Sequence, residues 1–134
     1  MRGKPEANGQ TQMIKLSFCL KRQAHLTREA FLDYWLNTHG PLVRRHAKAL
    51  NIHRYVQHHN QDDPLNDGMR AGRGAPEPFD GVAELWWKSR AELEQAFSTP
   101  QGRRAGKELL EDEARFIELK HSPLWLGEEK TIVE

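Results

Sequence analysis

A chain of 134 residues corresponds to about one domain, long enough to bury roughly two-thirds of its unfolded surface. Twenty basic against nineteen acidic residues leave a net charge of +1, which speaks against nucleic acid as a partner because such proteins carry a basic excess or stripe. No apolar run approaches the roughly 20 residues of a membrane helix, and one cysteine excludes an internal disulfide framework and thiolate-rich zinc sites. Residues 1–11 are polar, contain Pro5, Gly3 and Gly9, show no apolar leader core, and read as a disordered tail. The expected location is the cytoplasm, and the expected single domain is 12–134.

Residues 13–21 alternate, with Ile14, Leu16, Phe18 and Leu20 on one face and Lys15, Ser17, Cys19 and Lys21 on the other. A period of two predicts a strand. Thr27 is a suitable N-cap, with Glu29 in the first turn. The following residues predict a helix with a break near His39-Gly40, because Pro41 cannot continue the ladder. If its two halves run coaxially, Phe31, Trp35, His39, Val43 and His46 face inward. Residues 52–59 predict a second strand. The segment 60–78 is polar, with Pro64, Pro76, Pro78 and several glycines, and reads as a long surface loop. Residues 81–88 predict a third strand. Ser89 with Glu92 forms a capping box, and Thr99-Pro100 restarts a helix to about Ala114. Residues 117–126 predict a fourth strand.

The order β-α-β-β-α-β is the ferredoxin-like pattern, an α+β fold with a four-stranded antiparallel sheet and helices on one face. Trp86 and Trp87 are neighbours on one strand and point to opposite sides. With Val82 beside Trp86, the sheet face away from the helices is not patterned for water. That predicts a homodimer packed sheet to sheet.

Seven histidines are many for this length, and five of them (His39, His46, His53, His58, His59) fall within 21 residues. Histidine titrates nearest neutrality. His39, beside the helix break, is either a general base in a partly buried setting or a group that hydrogen-bonds the broken backbone. His46 is either a core histidine or a second acid–base group. Tyr55, Gln57 and His59 share a strand face that is expected to adjoin Glu84 and Trp86 as a pocket wall. Glu84 is a pocket acid, an interface ion pair or a partner for Arg54. Phe31, Trp35 and Trp86 are available to stack on an aromatic ligand, although core packing is the commoner use. The spacing of His39 and His46, about 10.5 Å along a helix, suits no single ion, and no HExxH, phosphate-loop or dinucleotide motif is present. No metal and no cofactor are expected.

Four ordered motifs, His39-Gly40-Pro41-Leu42, Tyr55-Val56-Gln57, Phe79-Asp80-Gly81-Val82-Ala83-Glu84-Leu85-Trp86 and Asp112-Glu113-Ala114-Arg115-Phe116-Ile117, resemble the EthD family of the dimeric α+β barrel superfamily. The resemblance covers about residues 13–128. It implies a ferredoxin-like homodimer with a pocket between sheet and helices. It also implies a place among small cofactor-free enzymes (lyases, isomerases, monooxygenases) that act on apolar or aromatic compounds in catabolism or secondary metabolism. The motif strengthens a catalytic reading of His39, with His46 or Tyr55 assisting. Phe31, Trp35, His59, Glu84 and Trp86 would contact the substrate. The alternative is a non-catalytic small-molecule binder or an accessory protein of a catabolic pathway.

Overall fold

A computed structural model describes residues 13–134, so the expected tail over residues 1–11 lies outside the described residues. Strand β1 (Ile14–Leu20) is followed by α1 (Arg28–Tyr34), a π-helical turn (Trp35–His39) and α2 (Gly40–His46). Next come β2 (Arg54–His59), α3 (Pro64–Arg73) and β3 (Gly81–Trp87). The chain ends with α4 (Arg90–Ala96), α5 (Pro100–Phe116), a 3-10 turn (Leu119–His121) and β4 (Leu124–Gly127). The four strands form one sheet in the order β2-β3-β1-β4, with every neighbouring pair antiparallel. This is the ferredoxin-like α+β arrangement.

Alternation along β1 sets its sidedness. Phe18 and Leu20 are buried against the helices, beside Phe31, Trp35, Phe116 and Ile117. Four hydroxyl or carboxylate side chains open the helices by accepting a backbone N–H: Thr27 from Ala30, Asp63 from Leu65, Ser89 from Glu92 and Thr99 from Gly102. Each satisfies a donor that has no partner within its own helix. Glycine is needed at position 81, because a Cβ there would lie 2.5 Å from Cζ3 of Trp35. The indole therefore rests directly on the β3 backbone.

The expected break at His39-Gly40 takes the form of a π-turn. The Gly40 N–H donates to the Trp35 carbonyl, five residues back, and Pro41, which has no N–H, enters the first turn of α2. The inward stripe then advances by fours, through Phe31, Trp35, His39 and Val43, all buried. His46, three residues past Val43, is consequently on the flank toward α5 rather than inside.

Two segments depart from expectation. The 60–78 stretch is not a loop throughout: it contains α3, with Asp63 as N-cap, Pro64 in its first turn and Gly74 closing it at φ 61°. This is the helical asymmetry of an opening proline and a closing left-handed glycine. The fourth strand begins at Leu124 rather than at 117. Ser122 Oγ accepts the Lys21 N–H and donates to the Glu118 carbonyl, so a side chain replaces ladder bonds there and the backbone turns as a 3-10 segment. Only an isolated bridge, Arg22 to Ile117, marks the start of the expected strand.

Candidate functional site

Between the sheet and the helices lies a cavity of about 170 Å³, roughly the size that accepts one six-membered ring. Its walls are apolar, including Leu16, Val43, Leu85, Leu109 and Ile117, and Trp35 closes one side. Three side chains with titratable groups reach it: His39, Tyr55 and Glu113. Trp87 also borders the cavity, but its indole N–H is spent on the Leu50 carbonyl at 2.8 Å.

His39 is buried, and its two ring nitrogens face different surroundings. Nδ1 lies 2.7 Å from Asp112 Oδ2, and Nε2 lies 3.9 Å from Glu113 Oε2. Asp112 Oδ1 accepts from the Tyr34 hydroxyl at 2.6 Å and from Arg115 at 3.3 Å. Burial opposes ionisation of Asp112, but the Tyr34 and His39 hydrogen bonds and the Arg115 charge outweigh it and hold the carboxyl below its ordinary range. An ionised Asp112 is an acceptor only. It therefore takes Nδ1–H from His39, which leaves the Nε2 lone pair free. Burial lowers the His39 pKa, against the pull of Asp112, and so favours the neutral ring.

Glu113 is the opposite case. Burial, reinforced by the Asp112 charge next to it, raises its pKa to about 7, so near neutrality much of it is a protonated donor. A free imidazole lone pair and a neutral carboxylic acid thus converge in one apolar cavity. A reacting atom needs such a donor–acceptor pair.

Tyr55 is held by a chain of hydrogen bonds. His59 Nε2 is 2.7 Å from Gln57 Oε1. Gln57 Nε2 donates both to the Trp35 carbonyl at 2.8 Å and to the Tyr55 hydroxyl at 2.9 Å. The Tyr55 oxygen is an acceptor in that chain, so its own proton is free to be donated elsewhere. Burial pushes its pKa up to about 12 and keeps it protonated.

Among the expected site residues, the structure brings His39, Tyr55 and Trp35 together at the cavity and leaves the others out. His46 is not a cavity group: its Nε2 pairs with the exposed carboxylate of Glu108 on α5. Phe31 is fully buried behind Trp35, with its ring 5.5 Å from that of Phe116. His59 stacks on Trp35 at 4.8 Å and does not line the cavity. Glu84 and Trp86 lie on the other side of the sheet. Tyr55 pairs with Leu85 and Gln57 with Ala83, so the Tyr55 face adjoins Ala83 and Leu85, not Glu84 and Trp86. Glu84 instead pairs with Lys15 at 3.4 Å. Trp86 is only 6% exposed, covered by Lys15 and Arg54, each 4.7 Å from its ring centroid, and it donates to Glu129 at 2.6 Å.

Asp112 and Glu113 were not among the expected site residues, although a signal for them exists. They sit between Leu109 and Phe116 on α5 at offsets of three and four, which places two acids on an apolar helix stripe. Among the described residues no group of three or more His, Cys, Asp or Glu is placed to hold a metal ion, and no helix is long and apolar enough to cross a membrane.

Comparison with solved structures agrees with this architecture. An EthD-family protein from Bacillus halodurans is 24% identical, with a TM-score of 0.59 over 89% of this chain and 100% of its own. A hydroxynitrile lyase from Passiflora edulis is 11% identical, with a TM-score of 0.57 over 92% of this chain and 98% of its own. A dimeric protein of unknown function from Bacteroides fragilis, described as ferredoxin-like, is 13% identical, with a TM-score of 0.56 over 90% and 99%. At these identities the likeness shows the fold. No curated protein matches the chain significantly. The model of the EthD domain matches residues 23–120, the segment that carries the cavity histidine, its carboxylate partners and the wall tyrosine. This chain belongs to the EthD family.

Proposed function

We propose that the protein is a cofactor-independent acid–base enzyme acting on a small apolar or aromatic compound. The observation that carries this reading is the imidazole Nε2 of His39 facing Glu113 at 3.9 Å inside an apolar cavity, with Nδ1 tied to Asp112. His39 Nε2 takes a proton from an O–H, or from a C–H beside an activated carbon, and becomes imidazolium stabilised by Asp112. Glu113 gives its proton to the leaving group or to the developing anion, while the Tyr55 O–H donates to the oxygen on which charge gathers. The proton then passes from Nε2 to the Glu113 carboxylate, and both groups return to their starting forms. A lyase or isomerase needs only this cycle, whereas a monooxygenase adds dioxygen to the deprotonated substrate, which is itself oxidised, one oxygen atom staying on its carbon and the other leaving as water.

Ligand-dependent thermal unfolding across a library of small cyclic compounds tests the reading, followed by deuterium exchange from solvent into each hit. Hits are expected to raise the unfolding midpoint by about 3 °C at saturating ligand and to exchange an acidic hydrogen faster with the protein than without it. Leu85→Trp and Leu16→Phe, which fill the cavity, should abolish both effects. Binding that survives both substitutions, or binding with no exchange in any hit, overturns the acid–base reading; the latter favours the simple binder.

The working form in this proposal is a homodimer joined through the sheet faces away from the helices. The dimeric description of the Bacteroides fragilis neighbour supports it. So does Trp125, 53% exposed and paired with Ser17, which places it on that face. Trp86 no longer argues for it, because its own chain already covers the indole. Sedimentation at micromolar concentration should give twice the monomer mass; a single-copy species refutes the dimer.

A further inference from the structure

The wall of the cavity is uneven in depth. Among the described residues that line it, only Phe97 and Leu124 are exposed, at 48% and 55%. Leu124 lies on the edge strand β4, in register with Phe18, and belongs to a side wall. Phe97 follows α4 at the corner before α5 and closes an end. Its ring rests on Gly106, where a Cβ would lie 2.9 Å from the ring's Cε1. Gly106 and Glu113 both line the cavity and are seven residues apart on α5, two turns and roughly 10.5 Å along one helix face. The cavity therefore has a long axis along α5, with the acid–base pair toward one end and the Phe97 ring at the other.

The backbone under Phe97 is fixed. Thr99 Oγ1 accepts the Gly102 N–H at 2.9 Å, and a Cβ on Gly102 would lie 1.6 Å from the Ala96 carbonyl oxygen, so α4 and α5 touch backbone to backbone at this corner. The Phe97 N–H donates to the Glu94 carbonyl at 3.2 Å. Its ring has no polar atom to tether it and is half in water. Elsewhere the wall is stiffer: Val43 and Ile52 are β-branched, and the Tyr55 hydroxyl is held by Gln57. From this geometry we propose that Phe97 is the residue that limits substrate length. A ring bound with its reacting position at His39 and Glu113 points the opposite substituent along α5, against the Phe97 ring. Compounds that end short of that ring are accepted, and longer ones are turned away. The proposal rests on the acid–base reading of the cavity and adds to it the shape of the substrate, a single ring with a small substituent, or none, opposite the reacting position.

The test is calorimetric titration of the whole chain with 4-methylphenol, 4-butylphenol and 2-butylphenol. Each methylene that finds apolar cover adds about fourfold in affinity, yet wild type should bind 4-butylphenol no tighter than 4-methylphenol. Phe97→Ala should bind 4-butylphenol roughly tenfold tighter than wild type does, and 4-methylphenol within about threefold of it. Phe97 is half exposed, so the truncated protein is expected to fold. The isomer 2-butylphenol has the same atoms with the chain beside the hydroxyl, and should gain nothing from the substitution. Leu124→Ala, which shortens the other exposed wall, should leave the ranking of the three ligands as in wild type. Equal affinity of wild type and Phe97→Ala for 4-butylphenol, or a gain shared by 2-butylphenol or by Leu124→Ala, overturns the assignment of Phe97. If in that event 4-methylphenol still binds wild type and is lost in Leu85→Trp, the cavity reading stands and only the length limit fails. If none of the three phenols binds wild type, the cavity reading fails and the length limit falls with it.

Discussion

Glu113→Gln is expected to stabilise the protein above neutrality, by up to about 3 kcal/mol at pH 8. The side chain is mostly shielded, 22% exposed, and its pKa rises from 4.5 to about 7, chiefly through burial. Because the folded-state value lies above the unfolded one, between these pH values the native protein holds a proton that the unfolded chain has released. Stability from this group is full below pH 4.5, is lost as pH rises toward 7, and is absent above it. Glutamine keeps the shape and the hydrogen-bonding capacity but has no proton to lose. Urea titrations should therefore show wild type losing about 2.5 kcal/mol more than Glu113→Gln between pH 5 and pH 8, with the two within about 1 kcal/mol of each other at pH 5. Parallel stability curves would mean that the carboxyl ionises as freely in the fold as in water. The same variant should lose most of the exchange activity, because an amide neither gives the proton nor takes it back from His39, and what remains should show no alkaline limb near pH 7.

The second large effect concerns Asp112→Asn. The carboxylate dictates the His39 tautomer, for it can only accept, and the Tyr34 hydroxyl and Arg115 already occupy Oδ1. An asparagine keeps a carbonyl for those two donors and presents an NH₂ to Nδ1. Nδ1 must then accept, the ring proton moves to Nε2, and the lone pair facing the cavity disappears. Exchange activity should fall about 10²- to 10⁴-fold, the range of a lost general base. Nitrogen NMR of the imidazole reads the cause directly. Wild type should show the Nδ1–H tautomer and the variant Nε2–H. The remaining ring should also titrate lower than in wild type, because the Asp112 charge that opposed the burial effect is gone. An Nε2–H tautomer in wild type would remove His39 as the base. His39→Gln should match the activity loss without the spectroscopic signal, separating the base itself from the residue that orients it.

The β-α-β-β-α-β order was legible because each strand alternates or carries β-branched and aromatic residues, and because Thr27, Ser89 and Thr99 mark helix starts by chemistry rather than by composition. Helix α3 was missed although Asp63-Pro64 and Gly74 bracket it with the same chemistry. Its interior is polar and glycine-containing and none of its residues is buried, so no apolar period announced it. His39 and Trp35 lie on the helix stripe that its spacing marks as inward, and the structure sets both at the cavity together with Tyr55, whose strand face was expected to adjoin Glu84 and Trp86 instead. Glu84 and Trp86 were misplaced because alternation fixes which residues share a face but not which face of β3 meets which face of β2. That register comes from long-range pairing. Asp112 and Glu113 were overlooked for a different reason. Charge usually marks a helix face as solvated, and only the flanking Leu109 and Phe116 reveal that this stretch turns inward.

The π-turn at Trp35–His39 gives the first crossover one residue more per turn than its neighbours. In a regular α-helix each residue adds 100° of rotation. Winding the same residues as a regular α-helix would swing everything after the turn by nearly that angle, carrying the glycine-proline corner and the Val43 side chain around the axis while Phe31 stayed in place. The aim of the imidazole is therefore encoded as a count of residues: the one extra residue held in the turn keeps His39 in line with Phe31 and Trp35.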